Sequence, residues 1–195
     1  MLDACYTDAA VRTAVDLANT WKPIKGEDAL ETVAQLRDFL DAHSPAGLAG
    51  EQGTGPRRLT GADLAEVRAV RETVRAVLER ATTDAAGTAA LINDGLRRSR
   101  ATPALRHDHD RWWTEVTADT DRCSAHLAAT TLSALAAVIA TLGPARLGVC
   151  AGSNCRGTFV DLSRNGSKQY CTRTCAHRAS VTAYRSRNAQ GDEPS

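Results

Sequence analysis

The chain has 195 residues, 43% hydrophobic and 24% charged, which excludes collagen-like, mucin-like and wholly disordered classes. Its 24 Lys and Arg against 23 Asp and Glu give a net charge of +1, a total that argues against a nucleic-acid partner only if the charge is evenly spread. It is not: residues 1–145 hold 16 basic and 20 acidic side chains, net −4, and residues 146–195 hold 8 and 3, net +5. A mildly acidic body with a basic tail points to a nucleic-acid or membrane-surface contact, although a solvated basic helix gives the same count.

The N-terminal Met1-Leu-Asp-Ala-Cys-Tyr-Thr-Asp8 has neither a basic n-region nor an apolar h-region, so a cytoplasmic location is expected. Thr32-x-x-Gln35 resembles a capping box, and Val33, Leu36, Phe39 and Leu40 form an apolar stripe after it. Ser44-Pro-Ala-Gly47 closes that helix, and residues 49–58 read as a Gly-rich loop. Thr60-Gly-Ala-Asp63 supplies an N-cap with an acid in the first turn, and Leu64, Val67, Val70, Val74, Val77 and Leu78 continue at helical spacing to about Arg80. Residues 89–97 give a shorter helix. Around Leu105–Val116 the period is lost, and a strand or hairpin is expected.

Ser124–Leu142 is 19 residues without Asp, Glu, Lys or Arg, close to the length of a membrane span. His126, Thr130, Thr131, Ser133 and Thr141 interrupt it, and Leu127, Thr131, Leu135, Val138 and Leu142 share one side. A buried core helix is therefore the reading, with no membrane contact, ended by Gly143-Pro144. The body through residue 145 reads as mainly α with minor strand content.

Four of the six cysteines lie within 26 positions. Cys150-x4-Cys155 and Cys171-x3-Cys175 are separated by 15 residues, the two-pair pattern of a tetrahedral structural zinc site. In a reducing compartment such a cluster points to metal rather than disulfides. A tight turn lets the first pair converge, and i, i+4 spacing places the second pair on one helix face. Between them, residues 157–163 look strand-like, Asn165-Gly166 suits a tight hairpin turn, and Lys168-Gln-Tyr170 leads back to Cys171. The expected order is knuckle, hairpin and helix, treble-clef-like, over residues 146–190. Residues 191–195 are expected to be a disordered tail. All four positions are cysteine, which leaves no open coordination site, so one structural Zn²⁺ is expected. His177 is an alternative ligand only if a cysteine drops out. Cys5 and Cys123 fall outside the pattern and read as ordinary thiols.

A helix is expected from the second pair to about Asn188. Arg178, Val181 and Arg185 fall on one side, with His177, Tyr184 and Arg187 near another. With Arg156, Arg164, Lys168 and Arg173 these are the candidate nucleic-acid contacts, because arginine can bind phosphate and guanine edges in bidentate fashion. Alternatively, the cations merely solvate a helix end.

Cys150 through Arg187, with Phe159-Val-Asp-Leu-Ser-Arg-Asn-Gly166, resembles the C-terminal CGNR zinc finger. Ala14-Val-Asp-Leu-Ala-Asn-Thr20 and Leu59-Thr-Gly-Ala-Asp-Leu-Ala-Glu-Val-Arg-Ala-Val-Arg71 resemble the ABATE domain that precedes it in that family. The resemblance covers nearly the whole chain and implies a stress-induced transcription regulator with a multihelical N-terminal domain. One departure is clear: where the family has Cys-Gly-Asn-Arg, this chain has Cys175-Ala-His-Arg178. Neither replaced residue is a ligand, so metal binding is expected to survive, while the role of the family's Asn is in doubt here. Asp16, Asn19 and Arg71 match family-like positions. They either line a ligand pocket or cap helices and satisfy buried backbone.

These readings converge on a zinc-dependent, DNA-binding transcriptional regulator, with a homodimer and a small-molecule effector as further possibilities. The alternative is a protein-interaction or small-molecule-sensing module whose finger is purely structural. No nucleophile elbow, phosphate loop, HExxH or paired-carboxylate pattern is present, so no enzyme is expected. His107, Asp108, His109 and Asp110 beside Trp112 hint at a second metal, but a polar loop or half-wet strand reads as well. The 21 Arg to 3 Lys suggest a high-GC bacterial source.

Overall fold

The expected helices form, several of them opened by side-chain caps that the sequence supplies. The computed structural model describes residues 7–43, 58–109 and 111–190, with residues 108, 111 and 186–190 described in backbone only. The expected 44–47 stop, the 49–58 loop up to residue 57, the 191–195 tail, Cys5 and Asp110 lie outside the described residues.

Helix α1 spans Asp8–Asn19, and its N-cap Thr7 accepts from the Ala10 N–H at 3.1 Å. Two short strands, β1 (Trp21–Lys22) and β2 (Glu27–Asp28), pair antiparallel behind it. Helix α2 spans Val33–His43, and Gln35 Oε1 accepts from the Thr32 N–H at 2.9 Å while Thr32 Oγ1 accepts from the Gln35 N–H at 3.2 Å. Helix α3 spans Gly61–Arg80 and opens with the full capping box between Thr60 and Asp63. Helix α4 runs from Ala85 to Arg98, starting earlier than the 89–97 expectation because Asp84 caps it through the Gly87 N–H at 2.8 Å. The ambiguous region is a long antiparallel hairpin of β3 (Ala101–Asp108) and β4 (Arg111–Ala118).

Helix α5 (Cys123–Leu142) is the centre of the body and packs against α1, α3, α4 and β4. By length and composition it could cross a membrane, yet Leu127, Leu132, Leu135 and Val138 are buried in the protein core. They meet Leu17 of α1, Val67, Val74 and Val77 of α3, and Ile92 of α4 in one cluster. Full burial of each such side chain contributes about 1.5–3 kcal/mol. Buried Thr131 bonds to the Leu127 carbonyl within its own helix at 2.6 Å, so it adds no unsatisfied polar group. Gly143, with φ of +89°, ends α5, and Pro144 starts a 3₁₀ turn over Pro144–Arg146.

The chain then forms β5 (Leu147–Val149), which pairs antiparallel with β6 (Thr158–Val160). Leu147 and Val160 belong to the same hydrophobic cluster as the helices, so the core runs across residue 145. This pairing corrects the expected hairpin, which joined residues 157–163 to 168–170 through Asn165-Gly166. Gly166 does take a positive φ of +59°, but no strand forms at 168–170. Buried Asp161 provides the reason: its carboxylate accepts from the Ser163 N–H at 2.9 Å and the Lys168 N–H at 2.8 Å. These amides are satisfied by a side chain instead of a partner strand. Helix α6 (Arg173–Gln190) closes the described chain.

A four-cysteine centre at the root of an exposed helix

Cys150 directly follows β5, and Cys155 lies in the knuckle that leads into β6. The knuckle is pinned by the Cys150 N–H to the Gly157 carbonyl at 2.8 Å and the Cys155 N–H to the Gly152 carbonyl at 3.0 Å. Cys171 precedes α6, and Cys175 lies in its first turn, where Thr172 Oγ1 accepts from the Cys175 N–H at 3.2 Å. The Ala151 N–H donates to the Gln169 carbonyl at 2.9 Å and ties the two halves together.

The four Sγ atoms lie within 4.8 Å of one another. Cys155 and Cys171 sulfurs are 3.6 Å apart, and those of Cys171 and Cys175 3.8 Å. A regular tetrahedron with Zn–S bonds of about 2.3 Å has sulfur–sulfur edges of about 3.8 Å, so the spacing fits zinc. Protonation agrees. Burial and the adjacent sulfurs hold the Cys171 thiol far above its ordinary value, and burial raises Cys155, while the Thr172 hydroxyl lowers Cys175. Thiols held up in this way, Cys155 and Cys171, give up their protons when a cation takes the thiolates. The donor set is that of one structural Zn²⁺, which supplies folding free energy and offers no open position for chemistry.

Gly157 was not singled out by sequence reasoning, yet its N–H donates to Cys155 Sγ at 3.4 Å. A Cβ there would stand 3.0 Å from Cys171 Sγ and 3.3 Å from Cys155 Sγ. Its position two residues after a ligand was the available signal.

The centre is clamped to the helical body. Asn19 of α1 pairs with Thr158 of β6, and Arg75 of α3 donates to the Arg156 carbonyl at 2.6 Å. Buried Arg75 also reaches the carbonyls of Ala18 and Trp21, and Glu79 balances its charge at 2.9 Å. Nothing in the local sequence marks Arg75, because its partners lie 54 to 81 residues away.

The three family-like positions have separate partners. Asp16 contacts His43 Nε2 at 3.0 Å, Asn19 bonds Thr158, and buried Arg71 pairs with Asp28 at 2.6 Å. No hydrogen bond or ion pair joins the three.

The candidate nucleic-acid residues divide by their surroundings. Arg156 and Arg164 are exposed on the knuckle and the following turn, and Arg173, His177, Arg178, Tyr184 and Arg185 are exposed on α6. None of these arginines has an acidic partner among the described residues. Lys168 is exposed as well, but its Nζ is engaged: it donates to the Val160 carbonyl at 3.3 Å and lies 5.5 Å above the Phe159 ring. Arg187 lies on α6, with its side chain outside the described residues. Among the described residues, helix α6 has no extensive packing against any other element. His107 stacks on Trp112 with ring centres 4.3 Å apart, and among the described residues only the four cysteines form a metal-ligating group.

No curated protein matches the sequence. Residues 11–142 match ABATE, described as "Putative stress-induced transcription regulator", and residues 146–188 match the CGNR zinc finger. With two thirds of its length inside the first match and the cysteine centre inside the second, the chain belongs to the ABATE family and ends in a CGNR zinc finger.

Proposed function

We propose that the protein is a DNA-binding transcriptional regulator whose contact surface is α6, oriented by the zinc centre. The observation that carries this reading is the exposed cationic helix. An 18-residue helix is about 27 Å long, and α6 is held at its first turn by two zinc ligands while its remaining length lacks extensive packing. A helix that is polar all round needs a reason to exist, and Arg173, Arg178 and Arg185 supply one. Their guanidinium groups, unpaired among the described residues, suit phosphate oxygens and guanine edges, and a major groove admits an α-helix.

Charge sets the expected strength. Four thiolates and one Zn²⁺ add −2, so the +5 of residues 146–195 falls to about +3. Modest affinity per chain follows, and a homodimer joined through the body would raise it. Regulation in response to stress accords with the family description, and a cytoplasmic, non-catalytic role is part of the same proposal.

The test is fluorescence anisotropy of the intact zinc-loaded protein with genomic DNA fragments across a salt series. Four to six phosphate contacts give a log–log slope of about −4 to −5. The Arg178→Glu/Arg185→Glu variant should lose most of the binding with zinc content unchanged. No binding in low salt would overturn the reading.

A further inference from the structure

The helical body carries a cleft of about 700 Å³ between α3, the end of α4 and the start of α5, far in sequence from the zinc ligands. That volume falls in the range of small-molecule sites. Its lining includes the apolar side chains of Val70, Ala125, Ala128 and Leu132. It also includes Arg98, Arg100 and Arg122 against a single acid, Glu66. Glu66 is already committed: Arg122 Nε donates to it at 3.2 Å and Ser124 Oγ at 2.7 Å. The side chains of Arg98 and Arg100 have no partner among the described residues.

Arg100 adds a second, independent observation. Its φ is +52°, the left-handed region, two positions past the last residue of α4. Glycine is the ordinary occupant of such a site, because a Cβ is strained there. The chain instead carries an arginine, and it lines the cleft. Strain of this kind persists where a side chain is needed for something other than stability. The start of α5, also at this cleft, has no side-chain cap.

We propose that this cleft binds a small organic anion, a carboxylate on an apolar body. Arg98 and Arg100 take the carboxylate, for which the guanidinium fork is well matched. Val70 and Ala125, half-buried at the cleft, cover the apolar part, which distinguishes such a ligand from an inorganic anion. The assignment is independent of the DNA reading.

The test is calorimetric titration of the full zinc-loaded chain with octanoate and with benzoate, against octanamide, benzamide and inorganic phosphate. At least one carboxylate should bind at one site per chain, at least about tenfold tighter than its amide and than phosphate. Arg100→Gly should weaken that binding at least about tenfold while melting at or above the wild-type temperature, since glycine relieves the backbone. Arg98→Gln, on the helix surface, should weaken it without touching the backbone. The proposal is overturned if neither carboxylate binds below about 1 mM, if phosphate binds as tightly, or if both variants bind like wild type. DNA affinity measured on the same ligand-free samples separates failure of this site from failure of the DNA reading.

Discussion

Asn19 completes the outer edge of the zinc module with its side chain: its Nδ2 donates to the Thr158 carbonyl at 3.0 Å, and its Oδ1 accepts from the Thr158 N–H at 2.8 Å. One amide on α1 thereby satisfies both backbone groups that Thr158 would otherwise offer to another strand. An aspartate can accept but cannot donate to the carbonyl. Asn19→Asp should therefore cost about 1–3 kcal/mol in urea unfolding. An unchanged midpoint would show that the clamp contributes nothing.

Gly157 should be nearly as sensitive as a ligand. Its Cβ would press on Cys171 Sγ and Cys155 Sγ, and its N–H bond orients Cys155. Gly157→Ala should weaken zinc affinity about 10–100-fold, the cost of disturbing groups around a metal's ligands. Competition with a chromogenic chelator measures it, and wild-type affinity would refute the close packing.

The ion pair between buried Arg71 and half-buried Asp28 ties β2 to α3. Arg71→Met leaves the Asp28 carboxylate with only Arg68, 3.7 Å away, and the Leu30 N–H, so it should destabilise by about 1–3 kcal/mol. The double variant Arg71→Met/Asp28→Leu should recover much of that loss in urea unfolding, because no charge is then stranded. A double variant no better than the single would contradict this account.

Asp161 gives the finger module an acid dependence. Burial alone would raise its pKa, but the Ser163 and Lys168 N–H groups and nearby Arg146 bring it below the ordinary aspartate value. A depressed folded pKa contributes stability that is present above the unfolded value of about 3.9 and is lost as pH falls through the folded value. Wild-type protein should therefore lose stability on acidification below about pH 4 more steeply than Asp161→Asn. Parallel urea curves for the two proteins between pH 7 and pH 3 would contradict the assignment.

Local chemistry explains what the sequence made legible. Thr60 and Asp63 announce their capping box within four residues, and the apolar period of α3 and α5 follows from burial on one face. Four cysteines in two pairs specify a metal site because tetrahedral ligation needs little else. The β5–β6 pairing was not legible, since Asn165-Gly166 is a sound turn signal and only the buried Asp161 carboxylate diverts the amides around it. Helix α1 was missed as an element although Thr7 and Asp8 open it as an N-cap and a first-turn acid. The clamps by Asn19 and Arg75 join residues 139 and 81 positions apart, and no spacing in one chain reveals them.

The central claim is that zinc organises α6 into a DNA-contacting surface. The most direct measurement is capture of genomic fragments by the intact protein, compared with Cys171→Ser, with bound zinc quantified in both. The account predicts about one zinc per chain and enriched fragments for the wild type. It predicts loss of both in the variant. Equal enrichment by the two proteins, or none by the zinc-loaded wild type, would contradict it.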